Sequence, residues 1–464
     1  MSTAIPTLAD DLVQLLSPGQ VSTGESILEQ HSHDESYHRG GRPDVVVFPE
    51  STEDVVKVIR YAAEHRIPVV PFGTGTGLEG HVVPVRGGIS IDVTRMNRIL
   101  EVRPDDFLVR VQPGVTKNQL NEALKRYGLF FPVDPGSDAS LGGMAATNAS
   151  GTTTVRYGAM RDNVRSLQVV LPNGEVIQTA SLAAKSSSGY NLTALFVGSE
   201  GTLGVITELW LKVHGIPEKT IAARAQFNDF QSCVNAATAI VGAGVPVSRI
   251  ELLSQEFVAA FNKYKGVDFP VVPTLLIEFR GSEQGVRIDV ELAEEIARDE
   301  GCLGFDFVID EEARNEMWEM RHNALYAFMH QFPGLGHMST DVCVPLSKLP
   351  DACTFAQRRL KETGVRGAIV GHVGDGNFHV SIALDTNDHA DLQRVHAYNE
   401  EIVHHALKLG GTCTGEHGVG LGKMKYQALE HGPALAVMRA IKAAIDPLHI
   451  MNPGKLIDEV QAAH

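Results

Sequence analysis

The sequence predicts a protein of mixed helices and sheets that is built from more than one domain. The chain has 464 residues, which is more than one hydrophobic core usually organises. From about residue 42 onward, short apolar runs of strand length alternate with amphipathic helical patterns. Such alternation is typical of sheets covered by helices, so we expect two or three domains.

Composition and charge exclude several classes of protein. The formal net charge is -16, from 40 basic and 56 acidic residues, which argues against a nucleic-acid partner. None of the five cysteines forms a Cys-x-x-Cys pair, so neither a disulfide framework nor an Fe–S cluster is indicated. Residues 1–20 contain no Lys or Arg, and no apolar run reaches 18 residues. We therefore expect a cytoplasmic protein without a transmembrane segment, with peripheral attachment to the inner membrane as a second option.

The elements of the first half follow from periodicity, caps and turns. The histidines at 31, 33 and 38 could suggest a metal site, but no apolar framework surrounds them, and a solvated polar loop is the preferred interpretation. Ser51 and Thr116 are predicted helix N-caps, and Pro172-Asn173-Gly174 is a predicted hairpin turn. The predicted helices span 8–16, 51–66 and 116–127, and the predicted strands span 44–49, 67–71, 89–93, 107–111, 167–171, 176–179 and 205–213.

After a boundary at 215–217, strands and long helices alternate again. The predicted helices span 229–242, 282–299, 311–330, 349–363 and 389–409, and the predicted strands span 274–279, 337–344, 367–371 and 378–384.

Three glycine-rich runs mark the first half, at residues 71–80, 134–151 and 198–207. Glycine lets a backbone approach a ligand closely, and successive N–H groups of such a loop can bind an anion. The first run is not a dinucleotide fingerprint or a Walker loop, because the following residues 81–88 include Pro84 and cannot continue as a helix. A single run is equally compatible with a plain glycine-rich turn. Three runs together predict a long phosphate-bearing ligand that lies across several strand ends.

The second half contains a histidine-bearing turn. His372 and His379 flank a Gly-Asp-Gly turn, and Glu416 lies on another glycine-rich loop about forty residues later. Two histidines and one carboxylate suit Zn²⁺, Mn²⁺ or Fe²⁺. A hydrogen-bonded turn without metal is the alternative. Asn377 within this turn could bind a ligand or only its own backbone.

Arg321 lies in a predicted helix that is otherwise patterned for burial. An arginine there could be a surface or ion-paired residue, or it could bind a substrate carboxylate through two parallel hydrogen bonds. Spacing alone does not decide between them.

These motifs together resemble those of one enzyme family. The three glycine runs, residues 185–192, 371–379, 415–418 and 451–455 occur in an order that resembles the FAD-dependent D-2-hydroxyacid dehydrogenases of the vanillyl-alcohol oxidase superfamily. The resemblance covers residues 40–457. Residues 337–345 are similar to the cytochrome- or quinone-linked D-lactate branch, and Ser339 stands near where relatives acting on D-2-hydroxyglutarate carry a lysine.

The resemblance implies a specific α+β architecture. It comprises an N-terminal segment at 1–40 and an FAD-binding domain of two subdomains, of the vanillyl-alcohol oxidase type, at 41–216. An α/β cap domain with an antiparallel sheet and a metal site follows at 217–425, and a C-terminal segment at 426–464 returns to the FAD domain.

The resemblance also implies roles for individual residues. His372, His379 and Glu416 would bind a divalent metal, Zn or Mn. His417 would be the catalytic base and Arg321 the carboxylate clamp, with Asn377 and His372 as further substrate contacts. FAD would be bound noncovalently, and no covalent link to His81 is assigned. The residues expected to bind FAD are Pro71, Gly73, Thr74, Gly75, Thr76, Gly77, Gly80, Pro135, Gly136, Ser140, Gly142, Gly143, Thr147, Asn148, Gly151, Tyr157, Gly158, Glu200, Gly201, Gly204, Val205, Ile206 and Asn452.

The function implied is FAD-dependent oxidation of a D-2-hydroxy acid, with D-lactate as the expected substrate, to the 2-oxo acid. Hydride would pass to flavin N5, and an external quinone, cytochrome or flavoprotein would accept the electrons. The alternatives are a glycolate or longer D-2-hydroxyacid dehydrogenase subunit of a larger complex, a metallohydrolase that leaves the glycine runs unexplained, and a non-catalytic flavin-binding sensor. A homodimer is left open.

Overall fold

The computed structural model describes residues 8–458. Within this range, no helix combines the length and apolar character needed to cross a membrane. The strands are β1 (Val21–Ser22), β2 (Val45–Val47), β3 (Val69–Phe72), β4 (Ile89–Asp92), β5 (Ile99–Arg103), β6 (Leu108–Val111), β7 (Leu129–Phe130), β8 (Val164–Val170), β9 (Val176–Gln178), β10 (Val205–Lys212), β11 (His214–Gly215), β12 (Lys219–Phe227), β13 (Val247–Leu253), β14 (Thr274–Gly281), β15 (Cys302–Val308), β16 (Gly336–Ser339), β17 (Val342–Cys343), β18 (Gly367–His372) and β19 (Asn377–Leu384).

The helices connect these strands and cover the sheets. They are α1 (Leu8–Leu15), α2 (Glu25–Gln30), α3 (Thr52–His65), α4 (Lys117–Leu124), α5 (Leu141–Thr147), α6 (Thr154–Tyr157), α7 (Met160–Asn163), α8 (Leu192–Phe196), α9 (Phe230–Gly242), α10 (Gln255–Lys265), α11 (Glu283–Asp299), α12 (Glu311–His322), α13 (Ala324–Met329), α14 (Leu349–Thr363), α15 (His389–Lys408), α16 (Gln427–His431) and α17 (Ala434–Ile445).

The described chain forms two compact units. The first unit contains residues 8–150, 158–216 and 416–458, and the second contains residues 151–157 and 217–415. The chain therefore leaves the first unit twice, for residues 151–157 and for residues 217–415. The cap domain predicted from the sequence ends at residue 425, whereas the second unit ends at residue 415. The domain boundaries given in the sequence analysis stay a prediction.

The first unit holds two larger sheets, each with its own core. One has the order β1-β2-β4-β3, in which β2 and β3 run parallel to β4. The other is antiparallel with the order β5-β6-β10-β8-β9. Val45, Ile89 and Ile59 are buried in the first core, and Val109 and Leu209 in the second.

Local signals in this unit act as predicted. The Ser51 side chain accepts a hydrogen bond from Asp54 N at the start of α3, and Thr116 accepts one from Gln119 N at the start of α4. The turn at 172–174 joins β8 to β9, which pair antiparallel. Two predicted caps and one predicted hairpin are therefore confirmed.

The second unit is built on one eight-stranded antiparallel sheet. Its order is β15-β12-β14-β13-β18-β19-β16, and the short β17 also pairs with β19. Helices α10, α12 and α13 bury one core, in which Phe257, Trp318 and Phe328 pack with Leu253 and Leu276 of the sheet.

The predicted helix at 311–330 is wrong in its continuity. Asn323 ends α12, and α13 begins at the next residue. The Asn323 side chain donates a hydrogen bond to Glu319 O at 3.0 Å. Asparagine side chains compete for backbone groups in this way, and periodicity alone cannot reveal it.

The predicted strand at 337–344 is also interrupted, at Thr340 and Asp341. Both short strands, β16 and β17, pair with β19. Between them the Asp341 carboxylate accepts hydrogen bonds from Thr414 Oγ1 at 2.7 Å and Gly415 N at 2.9 Å. The strand is therefore interrupted where the Asp341 carboxylate accepts hydrogen bonds from the loop at residues 414 and 415.

The expectation of a solvated loop around His31 is wrong. His31 and Asp34 are buried, and His31 Nε2 lies 2.9 Å from Asp92 Oδ2. The His31 ring also contacts the ring of Phe72, with centroids 4.3 Å apart. The apolar framework that the local sequence lacks is supplied by residues about forty positions away.

Candidate functional site

The first glycine run leaves β3 and lies against the second run. A Cβ on Gly73 would stand 2.4 Å from Ser140 Oγ, and a Cβ on Gly75, whose φ is +69°, would stand 2.8 Å from Phe72 Cζ. Ser140 N donates a hydrogen bond to Thr74 Oγ1 at 3.4 Å. A larger residue at 73 or 75 would require the Ser140 hydroxyl, the Phe72 ring or the loop itself to move.

The third glycine run packs on both of the others. Glu200 N donates to Ala146 O at 2.8 Å, at the end of α5 in the second run. A Cβ on Gly201, whose φ is +70°, would stand 3.0 Å from Pro71 Cγ in the first run. All three runs therefore meet within the first unit.

Asn452 fastens this arrangement from the C-terminal part of the chain. Its Nδ2 donates to Glu200 O at 2.7 Å and to His81 O at 3.0 Å. Its backbone N donates to Val69 O at 2.7 Å. The structure thus brings Asn452 together with the glycine runs, as predicted cofactor residues would require. Gly151 and Tyr157 belong to the second unit, and their predicted role stays a prediction.

Residues 416–423, here called the His417 loop, contain neither helix nor strand. Glu416 Oε2 accepts a hydrogen bond from Ser150 Oγ at 2.8 Å, at the end of the second glycine run. His417 Nε2 lies 4.0 Å from Glu416 Oε1. The predicted base and one predicted metal ligand are therefore both attached to the first unit.

Two glutamates from the glycine runs contact the His417 loop. The Glu200 carboxylate accepts from Val419 N at 2.7 Å and Gly420 N at 2.9 Å. Glu79 O accepts from Leu421 N at 2.7 Å, and the Glu79 carboxylate lies 3.1 Å from Lys423 Nζ.

Neighbouring opposite charges favour the ionised forms of Glu79 and His81. Burial raises the pKa of Glu79, but Lys423, His38 and His417 together outweigh burial, so this pKa is lowered. For His81, burial lowers the pKa, but Glu200, Asp34 and Glu79 outweigh it and this pKa is raised. The His81 Nε2 atom lies 3.6 Å from Glu200 Oε1.

In the second unit, Glu251 connects two of the predicted site residues. Its carboxylate accepts from Arg321 Nε at 2.7 Å and lies 2.7 Å from His372 Nδ1. Burial raises the pKa of Glu251, but His372 and Arg321 outweigh burial and lower it. Glu251 was not predicted from the sequence, although a carboxylate within the apolar strand β13 is a signal that a buried ion pair is needed.

His379 and Asn377 lie on β19 beside the interruption at 340–341. His379 Nδ1 is 3.1 Å from Thr340 O. Asn377 Nδ2 donates to Asp341 Oδ1 at 2.9 Å and to Val342 O at 2.8 Å, so this amide is held by the residues of the interruption and not by the local backbone of its turn. The rings of His372 and His379 are 5.5 Å apart and nearly perpendicular.

Known protein families match nearly the whole chain. A family model described as "FAD linked oxidases, C-terminal domain" matches residues 216–456, which is more than half of the sequence, and one described as "FAD binding domain" matches residues 43–180. The chain belongs to the FAD-linked oxidases.

Two relatives refine the place of this FAD-linked oxidase within the family. It is 48% identical to the Danio rerio protein named "Probable D-lactate dehydrogenase, mitochondrial", over 95% of this chain and 90% of the relative. It is 45% identical to the Arabidopsis thaliana protein named "D-lactate dehydrogenase (cytochrome), mitochondrial", over 91% of this chain and 75% of the relative. The predicted resemblance to FAD-dependent D-2-hydroxyacid dehydrogenases is confirmed, and the FAD-linked oxidase is an FAD-dependent oxidoreductase.

A solved structure supports the fold. The 4-ethylphenol oxidase from Gulosibacter chungangensis superimposes with a TM-score of 0.80 at 18% identity, over 99% of this chain and 98% of that chain. Together with the antiparallel sheet of the second unit, this confirms the predicted fold class of a vanillyl-alcohol oxidase type FAD-binding domain with a cap.

The meeting point of the glycine runs fits FAD. Ser140 Oγ is buried and finds no hydrogen-bond partner among residues 8–458, and buried hydroxyls normally have one. This oxygen faces the space that a side chain at residue 73 would fill. A ligand with polar oxygens, such as the FAD diphosphate or ribityl chain, would satisfy it.

Proposed function

We propose that this FAD-linked oxidase oxidises D-lactate to the 2-oxo acid and passes the electrons to an external acceptor, either a quinone, a cytochrome or a flavoprotein. The observation that carries the proposal is the buried Glu251 carboxylate, which holds a guanidinium and an imidazole side by side in the second unit. The names of the relatives support the substrate. FAD, when bound, supplies the two-electron acceptor for the reaction.

Arg321 is the proposed carboxylate clamp. Glu251 takes only its Nε, and among residues 8–458 no hydrogen bond engages the terminal guanidinium nitrogens. Those two nitrogens form the fork that binds a carboxylate through parallel hydrogen bonds. Arg321 can therefore pair with Glu251 through Nε and bind a substrate carboxylate through its terminal nitrogens. The two roles were alternatives in the sequence but do not exclude each other.

His372, His379 and Glu416 are the proposed ligands of a divalent metal, Zn or Mn. Support comes from the two histidines, whose Nδ1 atoms face the Glu251 carboxylate and the Thr340 carbonyl. An N–H bond from Nδ1 to such an acceptor leaves the lone pair on Nε2, which is the usual arrangement for metal-binding histidines. A bound metal would make the hydroxyl of the substrate more acidic. His417 is the proposed base that takes this proton, with Asn377 as a further substrate contact.

The experiment that tests the proposal is anaerobic mixing of the yellow holoenzyme with single 2-hydroxy acids. D-lactate should bleach the flavin absorbance, and its kcat/KM should exceed those of L-lactate, glycolate and D-2-hydroxyglutarate. D-2-hydroxyglutarate should be the poorer substrate because Ser339 provides no positive charge for its second carboxylate. A protein that D-lactate does not bleach contradicts the proposal, and preference for glycolate favours the alternative function.

A further inference from the structure

The shape of the His417 loop depends on groups outside the loop. Residues 416–423 lack regular secondary structure, so no helix or strand ladder fixes the position of the His417 imidazole. Successive backbone N–H groups at Val419 and Gly420 both point at one carboxylate, that of Glu200. Hydrogen bonds from N–H groups to a carboxylate are about twice as strong as those to neutral oxygens.

Glu200 is itself held rigidly. Its φ of 52° is a left-handed conformation, which a non-glycine residue adopts at a cost. Its N–H bonds Ala146 O, and its carbonyl accepts from Asn452 Nδ2. These contacts hold the backbone of Glu200 between the second glycine run and the C-terminal segment, and its side chain is buried.

The loop also lies directly on this carboxylate. A Cβ on Gly418, the residue after His417, would stand 2.8 Å from Glu200 Oε1 and 2.6 Å from His81 Nε2. Glycine at 418, with φ +82°, permits this close approach. Any displacement of the carboxylate is therefore transmitted to the backbone next to His417.

We infer that Glu200 is a positioning residue for His417. Its carboxylate holds the loop that carries the base, whereas the sequence analysis expected Glu200 to bind FAD. The inference rests on the proposed function, because it presupposes that His417 takes the substrate proton. It also links the third glycine run to proton removal, so that one residue aligns the cofactor loop with the base.

The test uses Glu200→Gln in the holoenzyme. The amide keeps the shape of the side chain but presents an NH₂ group where one backbone N–H needs an acceptor. FAD content should stay normal, the limiting rate of flavin reduction by D-lactate should fall roughly 10-fold, and the dissociation constant of D-lactate should change less. Asp44→Asn is the matched control, since Asp44 accepts from Gly88 N at 2.8 Å and lies in the same unit without a hydrogen bond to the loop; its reduction rate should stay within about twofold.

A double-mutant cycle with His417→Ala decides the mechanism. If Glu200 acts through His417, the effect of Glu200→Gln disappears in the His417→Ala background. An equal effect in both backgrounds, or loss of FAD from Glu200→Gln, overturns the inference. Wild-type reduction by His417→Ala instead overturns the proposed role of the base. If Glu200→Gln does not fold, Glu200→Asp, which keeps the charge but shortens the reach, is measured in the same cycle with the same criteria.

Discussion

At the scale of single residues, Arg321 and His372 depend on a shared partner. Glu251 is fully buried, and two hydrogen-bonded groups compensate its charge. Removing one member of such a cluster leaves a buried charge without its partner. This loss lowers the free energy of unfolding by more than the intact cluster contributes to it. Substitutions that preserve charge are therefore the informative ones here.

Arg321→Lys should lower kcat/KM for D-lactate by roughly 10- to 100-fold, because a hydrogen bond to a charged group contributes about 1.5–3 kcal/mol and lysine cannot form the parallel pair. FAD content should be unchanged. Stopped-flow reduction and steady-state kinetics with D-lactate provide the measurement.

Arg314→Lys is the control for this change. Arg314 lies on the same helix α12 but donates to the carbonyls of Thr220 and Ile309. It should retain wild-type kcat/KM. Equal losses in the two variants would assign the effect at 321 to helix stability and would contradict the clamp.

Residue roles were only partly predictable from the sequence. His372, Glu416 and His417 stand out because they lie next to glycines, and His379 because it follows the same Gly-Asp-Gly turn as His372. Glu251 does not, since its partners lie 70 and 121 positions away, and only the pairing of β13 with β18 and the packing of α12 bring them together.

At the scale of elements, helix α17 holds the C-terminal segment to the third glycine run. Lys442 is buried and donates to Thr202 O, Met451 O and Asp446 Oδ2 at 2.8, 2.8 and 2.6 Å. Asp446 in turn accepts from Met451 N at 2.9 Å. The segment that carries Asn452 is thereby fixed by one buried cation.

Lys442→Met should destabilise the first unit by about 3–5 kcal/mol, because it leaves Asp446 buried without its partner. Urea unfolding of the holoenzyme, followed by flavin fluorescence, measures this. Arg439→Met is the control on the same helix: its bond to Asp458 is exposed, so its loss should cost less than about 1 kcal/mol. Equal midpoints for Lys442→Met and wild type would contradict the role of Lys442.

Elements with strong local signals were predicted well, and those set by tertiary pairing were missed. Helix α14 has the predicted bounds of 349–363. Strand β12 was missed because its sequence, rich in alanine and charged residues, has low strand propensity. It lies between β14 and β15 in the sheet, and such context overrides propensity.

At the scale of the whole molecule, metal and FAD should be separable. Dialysis against a chelator should remove the proposed metal and abolish reduction by D-lactate while the flavin spectrum stays intact, because the proposed ligands are distinct from the glycine runs. Added Zn²⁺ or Mn²⁺ should restore activity. Elemental analysis before and after dialysis is the measurement, and full activity in metal-free protein would refute the metal site.

The pairing of Val69 with Met451 has a consequence for biosynthesis. The strand that leads into the first glycine run can pair with Met451 only after the chain has been made as far as that residue. Contacts between such distant positions slow folding, since a long loop must close before they form. During translation the sheet of the first unit therefore remains incomplete until residue 451 has been made. The second unit, which ends at residue 415, can fold earlier. We expect FAD to be captured only after residue 451 has left the ribosome, and a chaperone that shields the incomplete sheet would raise the yield of holoenzyme.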